Sequence, residues 1–229
     1  VMGLAYAFTP RLIVLGGAGH LDVIAALAWL PWLMWAVEGV HWRWIGVFAA
    51  LCFLGDVRTA VFVFALAGAY ALWRWYQQKR SRMILLRYSA GATLALSLTA
   101  VQWLPLIFTL PLLSRVGLTA DEAGIFSLQP IDWTGLIVAT KAASHETLLY
   151  VGIGALALAI VGLVSDWRKR WFWGVIVLAA GWYAMGLNGV LWPLLVRIAP
   201  PLLWLRVPPR AWVIGIFALI VLSGYGVQT

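Results

Sequence analysis

Residues 211–227 read AWVIGIFALIVLSGYGV, a run without a charged side chain. A helix of about 20 apolar residues spans the hydrocarbon core of a bilayer, which is about 30 Å thick. This stretch therefore predicts a membrane-spanning helix. Its character decides how the rest of the chain is interpreted.

The whole chain shares that character. Of its 229 residues, 64% are hydrophobic and 10% are charged, and the mean hydropathy is +0.94. Soluble domains carry about 25% charged residues, so this chain has too few polar side chains to cover a surface in water. Many of the 16 tryptophans stand at the ends of apolar runs, which is typical of a membrane interface. We expect an all-α, polytopic transmembrane helix bundle in the cell membrane.

Apolar runs of near-spanning length recur between charged or Pro/Gly-rich breaks. They predict about eight spans, and Pro31, Pro105 and Pro193 predict kinked helices among them. The runs are residues 1–19, 23–40, 42–54, 57–76, 88–110, 148–164, 171–187 and 211–227.

Residues 42–76 require a reversal of the chain. As one straight helix they would extend about 50 Å, well beyond a hydrocarbon core of about 30 Å. Gly55, followed by Asp56 and Arg58, suits a tight hairpin, because glycine permits the turn and the two charges favour the interface.

The charges between the runs predict an orientation. Residues 74–87 contain five basic residues and no acidic one, and residues 168–170 are Arg-Lys-Arg. Such loops stay in the cytoplasm, so we expect both ends of the chain to be cytoplasmic. Residues 111–147 carry four acidic side chains against two basic ones and are expected to form one long outer loop of short, irregular pieces.

We expect a single transmembrane domain over residues 1–229. Because the chain begins inside one apolar stretch and ends just after another, we expect it to be part of a longer protein. The net charge of +8 lies in short loops and not on an extended basic face, which argues against a nucleic-acid partner. The expected partners are membrane lipids and, in one interpretation, other membrane protein subunits.

Two polar clusters lie on the predicted outer face, where ionisable groups suggest function. In the first, the small residues at 16–19 lead to His20 and Asp22. This arrangement fits close approach of a ligand, and equally close helix packing followed by an N-cap Asp22. In the second, Asp56 and Arg58 fit a functional carboxylate with its cation, or an ion pair that caps a helix.

A third cluster on this face is the turn before the last span. Arg206 and Arg210 flank a segment that contains Pro208 and Pro209. Arginines donate forked hydrogen bonds to phosphate oxygens, and the prolines would fix the backbone that presents them. The alternative is simple anchoring to lipid headgroups.

The outer loop adds His145 and Glu146 near a membrane entry. Adjacent residues on a helix point about 100° apart, so the pair does not by itself predict a metal site or an acid/base pair, and no metal-ligand set is predicted. The sequence has no HExxH, Walker A, GxSxG or CxxC motif. It therefore gives no support for a metalloprotease, a nucleotide-driven pump or a redox protein.

Four stretches together resemble a known family. In chain order they are FTPRLIVLGGAGHLDVIAALAWLPW at 8–32, LGDVRTAVF at 54–62, ETLLYVGIGALALA at 146–159 and LRVPPRAW at 205–212. They are similar to the YfhO-type bacterial multi-pass membrane proteins, which belong with the GT-C superfamily of polyprenyl-phosphate-sugar-dependent glycosyltransferases. Where that family commonly shows a Gly-His pair in the second stretch, this chain has Gly55 and Asp56.

The resemblance implies transfer of a sugar from a polyprenyl-phosphate carrier to an acceptor on the outer face of the membrane, with a divalent metal ion as a candidate cofactor. In that family the catalytic acid typically lies in the first outer loop near the protein's beginning, a region that this chain is expected to lack. Together with the clustering of polar residues on the outer face, the resemblance suggests Asp22 or Asp56 as a base or metal-contacting carboxylate. The lipid phosphate would be bound by Arg206, Arg210, His20 and Arg58, and the outer-loop candidates are His145, Glu146 and Tyr150.

Two other classes compete with a glycosyltransferase. A non-catalytic structural subunit of a larger membrane complex would use the Trp-rich and small-residue faces as interfaces. A transporter would need broken helices that meet at mid-membrane, whereas the charges here lie near one face.

Overall fold

The computed structural model describes residues 2–109, 112, 117–139 and 144–229, and within these ranges every regular element is helical. This confirms the all-α class. The α-helices are α1 Met2–Ala7, α2 Pro10–Gly17, α3 Leu21–Ala28, α4 Leu30–Glu38, α5 Trp42–Gly55, α6 Val57–Gln77, α7 Arg82–Leu98, α8 Ala100–Thr109, α9 Ala120–Ala123, α10 Ile153–Ser165, α11 Trp167–Ala184, α12 Leu191–Ile198 and α13 Trp212–Val227.

Several helices have the length and composition to cross a membrane. In the described part of the chain three do so: Leu21–Glu38, Val57–Gln77 and Pro208–Val227. The bent pair α7 and α8 adds a fourth if the two form one span. Helices α5 and α10 are apolar but shorter.

The chain folds into two compact units. Unit 1 consists of Val1–Gly19 and Arg115–Thr229, and unit 2 is His20–Ser114. The prediction of a single domain over 1–229 stays a prediction.

Unit 1 is built around α13, which is buried along most of its length and packs against α10, α11 and α1. Two glycines allow α10 and α13 to touch backbone to backbone. A Cβ at Gly162 would lie 2.0 Å from the Leu222 carbonyl oxygen, and one at Gly226 would lie 2.1 Å from the Leu158 oxygen. Small residues at a helix crossing give membrane helices close contact without large side chains.

Unit 2 is built around α5, which contacts α3, α4, α6 and α7. It packs closely against α7, where a Cβ at Gly91 would lie 2.9 Å from the Trp42 carbonyl oxygen. Near its end, α5 passes α3 so closely that a Cβ at Gly55 would lie 2.7 Å from the Ala26 nitrogen. The predicted break at Gly55 and Asp56 is confirmed, since α5 ends at Gly55 and α6 begins at Val57.

The expected span over 1–19 is wrong as a single helix. Thr9 is extended and Pro10 starts a new helix, so the run divides into α1 and α2, each too short to cross a bilayer. The run at 148–164 also becomes helical later than expected, because Gly152 has a φ of +97° and α10 begins at Ile153.

The helix at 88–110 bends where Thr99 lies and not at Pro105. Helices α7 and α8 meet there at 65°. The Thr99 hydroxyl donates to the carbonyls of Ala95 and Leu96, a bond that bends helices. Pro105 lies farther along, inside α8. Pro31 and Pro193 both fall in the first turn of a helix, where proline is tolerated.

The segment 111–147, which was predicted to form an outer loop, contains the short pieces that were expected. They are α9, with a capping box between Thr119 and Glu122, and 3₁₀ turns at Pro130–Leu136 and His145–Thr147. Residues 110–111, 113–116 and 140–143 of this region lie outside the described residues.

Substituting Gly162 by alanine tests the close crossing of α10 and α13. Overpacking of about 2 kcal/mol should lower the apparent melting temperature by about 5 °C. Gly154 of the same helix has no atom within 4 Å of an added Cβ, so Gly154→Ala is the matched control and should melt at or above the wild type. Tryptophan fluorescence of the detergent-solubilised chain measures both. Equal melting of the two variants would rule out the close crossing.

Candidate functional site

A buried arginine lies at the centre of a polar cluster in unit 1. Arg11, in the first turn of α2, is 1% exposed. Its guanidinium donates to the backbone carbonyls of Glu146 at 3.0 Å, Leu148 at 2.9 Å and Pro209 at 3.1 Å. One side chain thus satisfies carbonyls of two segments that are not α-helical, and these segments could not otherwise be buried without a large cost.

The counter-charge in this cluster is Glu146, which is 3% exposed. Its Oε1 accepts hydrogen bonds from Nε of Arg210, at 2.8 Å, and from Nη2 of the same guanidinium. Its Oε2 lies 3.7 Å from Nη2 of Arg11, and His145 Nε2 lies 3.7 Å from Oε1. We name Arg11, Glu146 and Arg210 the buried triad. It holds two guanidinium charges against one carboxylate.

The turn that carries Arg206 and Arg210 has an unusual backbone conformation. Val207 has a φ of 57°, a left-handed conformation that a β-branched residue rarely adopts. It is kept there because its N–H donates to the Ala123 carbonyl at 2.9 Å and the two prolines that follow are buried. Strain of this kind persists only when surrounding contacts enforce it, and it concentrates at functional sites.

The two arginines of this turn differ in their hydrogen-bond partners. Arg210 is bound to Glu146. Within the described residues the Arg206 guanidinium forms no hydrogen bond, and its Nε is shielded from solvent without an acceptor. Its charge acts at longer range on Glu122, whose pKa is lowered by the Thr119 hydrogen bonds and also by Arg206. The phosphate-binding prediction therefore fits Arg206 better than Arg210.

The second cluster lies in unit 2, where Asp56 caps α6. Its carboxylate accepts from the Thr59 N–H at 2.9 Å and from the Thr59 hydroxyl at 2.6 Å. Arg58 donates to Asp56 at 3.3 Å and lies 3.6 Å from Asp22. Burial acts to raise the pKa of Asp56, but the Thr59 hydrogen bonds and Arg58 outweigh it, so this pKa lies below its usual value.

The structure thus brings Asp22, Asp56 and Arg58 together, as an ion-paired cap. Of the two predicted catalytic carboxylates, Asp22 is 46% exposed and Asp56 is 8% exposed. Both face the Arg58 guanidinium, and the Asp56 oxygens are taken by donors. This donor set does not fit a divalent cation, which would have to displace a positive charge.

The small residues before α3 do not form the close helix contact that one interpretation of the sequence predicted. Added Cβ atoms at Gly17 and Gly19 would meet nothing within 4 Å, so these two glycines do not mark a close helix contact. Gly19, with a φ of +81°, serves the turn instead. His20 is the N-cap residue of α3, and Asp22 lies in the first turn and not at the cap.

Tyr150 lies half-buried between Leu149 and Val151, which are both buried, in the segment that leads to α10. The catalytic and binding roles assigned to these residues by resemblance stay predictions.

Sequence reasoning missed two interactions. Arg11 was seen only as an interruption of an apolar run, although a lone ionisable residue in such a run is a reason to search for its partner. Glu38 was also missed: in unit 2 it pairs with Arg74 at 3.0 Å and accepts a hydrogen bond from Tyr70. Its position at the end of an apolar run was the available signal.

No protein-family model, curated protein or solved structure matches this chain. The assignment of function therefore depends on the chain's own residues.

Replacing Glu146 by glutamine tests the buried triad. The buried guanidinium of Arg11 and the partly buried one of Arg210 would lose their counter-charge, which costs about 3 kcal/mol and should lower the apparent melting temperature by about 8 °C. Glu122→Gln is the matched control, because glutamine also completes a capping box and Glu122 is exposed.

The double variant Glu146→Gln with Arg210→Gln should be less destabilised than the sum of its two single variants, because one of the unpaired charges is removed. A Glu146→Gln protein that melts with the wild type would show that the triad does not stabilise unit 1.

Proposed function

We propose that the chain is a multi-pass protein of the cell membrane with about eight passes and both ends in the cytoplasm. The passes beyond those of spanning length would come from α1 with α2, α5, α10 and α11. Large apolar side chains that a bilayer would cover are exposed on these and neighbouring helices: Leu72 is 60%, Phe108 78%, Val164 71% and Leu178 71% exposed. The orientation is supported by the basic loops at 74–87 and 168–170.

Cysteine labelling tests the orientation. The single native thiol, Cys52, is 0% exposed and should not react with a membrane-impermeant maleimide. In intact cells, Asp121→Cys in the outer loop should be labelled and Lys169→Cys should not, and both should react after permeabilisation. Both positions are exposed. The reverse pattern would invert the proposed topology.

We further propose that the protein is a GT-C-like glycosyltransferase, or part of one, which binds a polyprenyl phosphate and transfers its sugar to an acceptor on the outer face. The observation that carries this proposal is the Arg206 guanidinium, which is partly buried beside the strained Val207 and whose Nε has no hydrogen-bond acceptor among the described residues. A phosphate would provide the acceptors that it lacks.

The chemistry asks two things of the protein. The bond between the sugar and the carrier phosphate breaks as an acceptor oxygen attacks, so the departing phosphate must be stabilised, which a guanidinium does. The acceptor hydroxyl must also lose its proton to a carboxylate. The candidates for that carboxylate on the predicted outer face are Asp22 and Asp56, and of these two only Asp22 keeps a large exposed fraction.

Binding of polyprenyl phosphate tests the role of Arg206. In nanodiscs that contain the full chain, Arg206→Gln should weaken binding about tenfold, because a charge-assisted contact is lost. The matched control is Arg197→Gln, which removes the same charge from an exposed position in α12 and should bind as the wild type. If both variants weakened binding equally, the effect would come from the overall charge of the protein, and a specific phosphate contact at Arg206 would be rejected.

An assay of sugar transfer in the same nanodiscs tests whether the protein is an enzyme or only binds the carrier. For an enzyme, Asp22→Asn should abolish transfer from a polyprenyl-phosphate sugar while leaving binding of the carrier intact. Binding without any transfer by the wild type would reject the enzyme.

A structural subunit is the second candidate, and a specific observation favours it. Most of the polar residues that were predicted to take part in catalysis or binding form ion pairs with one another. Arg58 pairs with Asp22 and Asp56, and Arg210 pairs with Glu146. Such ion pairs also occur in proteins where they only hold the fold together and have no catalytic role. Purification from the native membrane with a stoichiometric set of other membrane proteins would support this candidate.

A further inference from the structure

Unit 2 contains an apolar groove between helices that are consecutive in the chain. Helix α7 packs against α5 and leaves α6 almost untouched. The space that remains, bordered by α4, α5, α6 and α7, is a cavity of about 630 Å³ lined almost entirely by apolar side chains. Its size lies within the range of ordinary ligand pockets, about 300–1,000 Å³.

The groove exists because small residues line it. Ala49, Gly68, Ala92 and Ala95 stand where larger side chains would close the gap. A Cβ added at Gly68 would meet nothing within 4 Å, so there is open space directly above the α6 backbone. Leu72 and Leu96, at the rim, are 60% and 61% exposed.

Water is a poor occupant of such a groove, because an apolar wall offers it no hydrogen-bond partners. An empty groove would lose the dispersion contacts of every lining atom. In a bilayer the neighbouring molecules that are both apolar and flexible are acyl chains, so an acyl chain is the occupant that the lining favours.

One end of the groove is strongly basic. Trp75 and Leu85 line it where α6 ends and α7 begins. The Trp75 indole donates to the Ser81 carbonyl at 3.1 Å and so ties the groove wall to the connecting turn. Lys79, Arg80 and Arg82 of this connection are exposed. Residues 74–87 contain no acidic side chain.

The helical register places one of these cations at the groove. Leu85, Ser89, Ala92 and Leu96 of α7 line it, and Arg82 continues the same stripe by three residues toward the basic end. At about 100° per residue, Arg82 and Ser89 lie within about 20° of each other around the helix. Arg87 lies about 140° from Arg82, away from this stripe.

We propose that unit 2 binds one anionic phospholipid of the membrane leaflet next to the 78–82 connection, with an acyl chain in the groove and the phosphate at Arg82. Arg74 is already paired with Glu38, so it does not compete for the headgroup. Clusters of basic residues at the end of a membrane helix attract anionic lipids, and the groove adds a site for the chain. The proposal uses other residues and another ligand than the Arg206 site, so the two fail independently.

The first arm of the test fills the groove. The full chain in mild detergent is mixed with equal amounts of phosphatidylglycerol and phosphatidylcholine, and native mass spectrometry counts the lipids retained. Gly68→Leu should lower the retained phosphatidylglycerol about fivefold. Gly154→Leu is the matched control, since it also faces open space on an exposed helix position, and should retain wild-type amounts. Ala92→Phe fills the groove from α7 if the first variant does not fold.

The second arm removes the headgroup contact. Arg82→Gln should reduce the preference for phosphatidylglycerol over phosphatidylcholine about fivefold, whereas Arg87→Gln, with the same loss of charge on another face of α7, should keep it. If both variants lost the preference for phosphatidylglycerol, the preference would depend only on the overall charge of the protein, and the assignment of the phosphate to Arg82 would be overturned. Equal retention of the two lipids by the wild type, or wild-type retention by both groove-filling variants, would overturn the proposal.

Discussion

The guanidinium of Arg11 is the contact on which unit 1 depends. Buried backbone carbonyls need hydrogen-bond partners, so non-helical chain is buried only where other protein groups satisfy it. The segment that leads to α10 and the turn before α13 are both non-α-helical, and Arg11 donates to carbonyls of each. Glu146 balances part of the charge that this requires and recruits Arg210. Helix α2, the turn at His145–Thr147 and the segment that leads into α13 are thereby joined.

In unit 2 the charged residues lie at the ends of helices and pair there. Asp56 caps α6 through Thr59 and is itself paired with Arg58, while Glu38 and Arg74 join the ends of two spans. Here the charges close helix ends, and the close contacts come from glycines on α5 and α7. The same close contact pulls α7 toward α5 and away from α6, which leaves the apolar groove.

These pairings change how the polar clusters are interpreted. A charged residue near a membrane suggests function because it is costly, yet a partner can meet that cost for architecture alone. Asp56, Arg58, Arg210 and Glu146 have such partners. Arg206 and Asp22 are the members that keep donor capacity or exposed surface, so the proposed chemistry is now concentrated on fewer residues than the sequence suggested.

The sequence by itself determined the all-helical class, most of the long apolar helices and the break at Gly55 and Asp56, because these follow from local composition and from the length a helix needs. It also placed Asp56 beside Arg58, since two residues in one turn remain neighbours in any fold. The tertiary structure alone decided that Arg11 meets Glu146, because the two are far apart in sequence and no local pattern encodes their contact. It likewise decided that the run at 1–19 divides, that the bend falls at Thr99, and that a groove opens between α6 and α7. Each of these depends on which helix packs against which, and apolar helices of similar composition carry too little distinguishing pattern to specify that in advance.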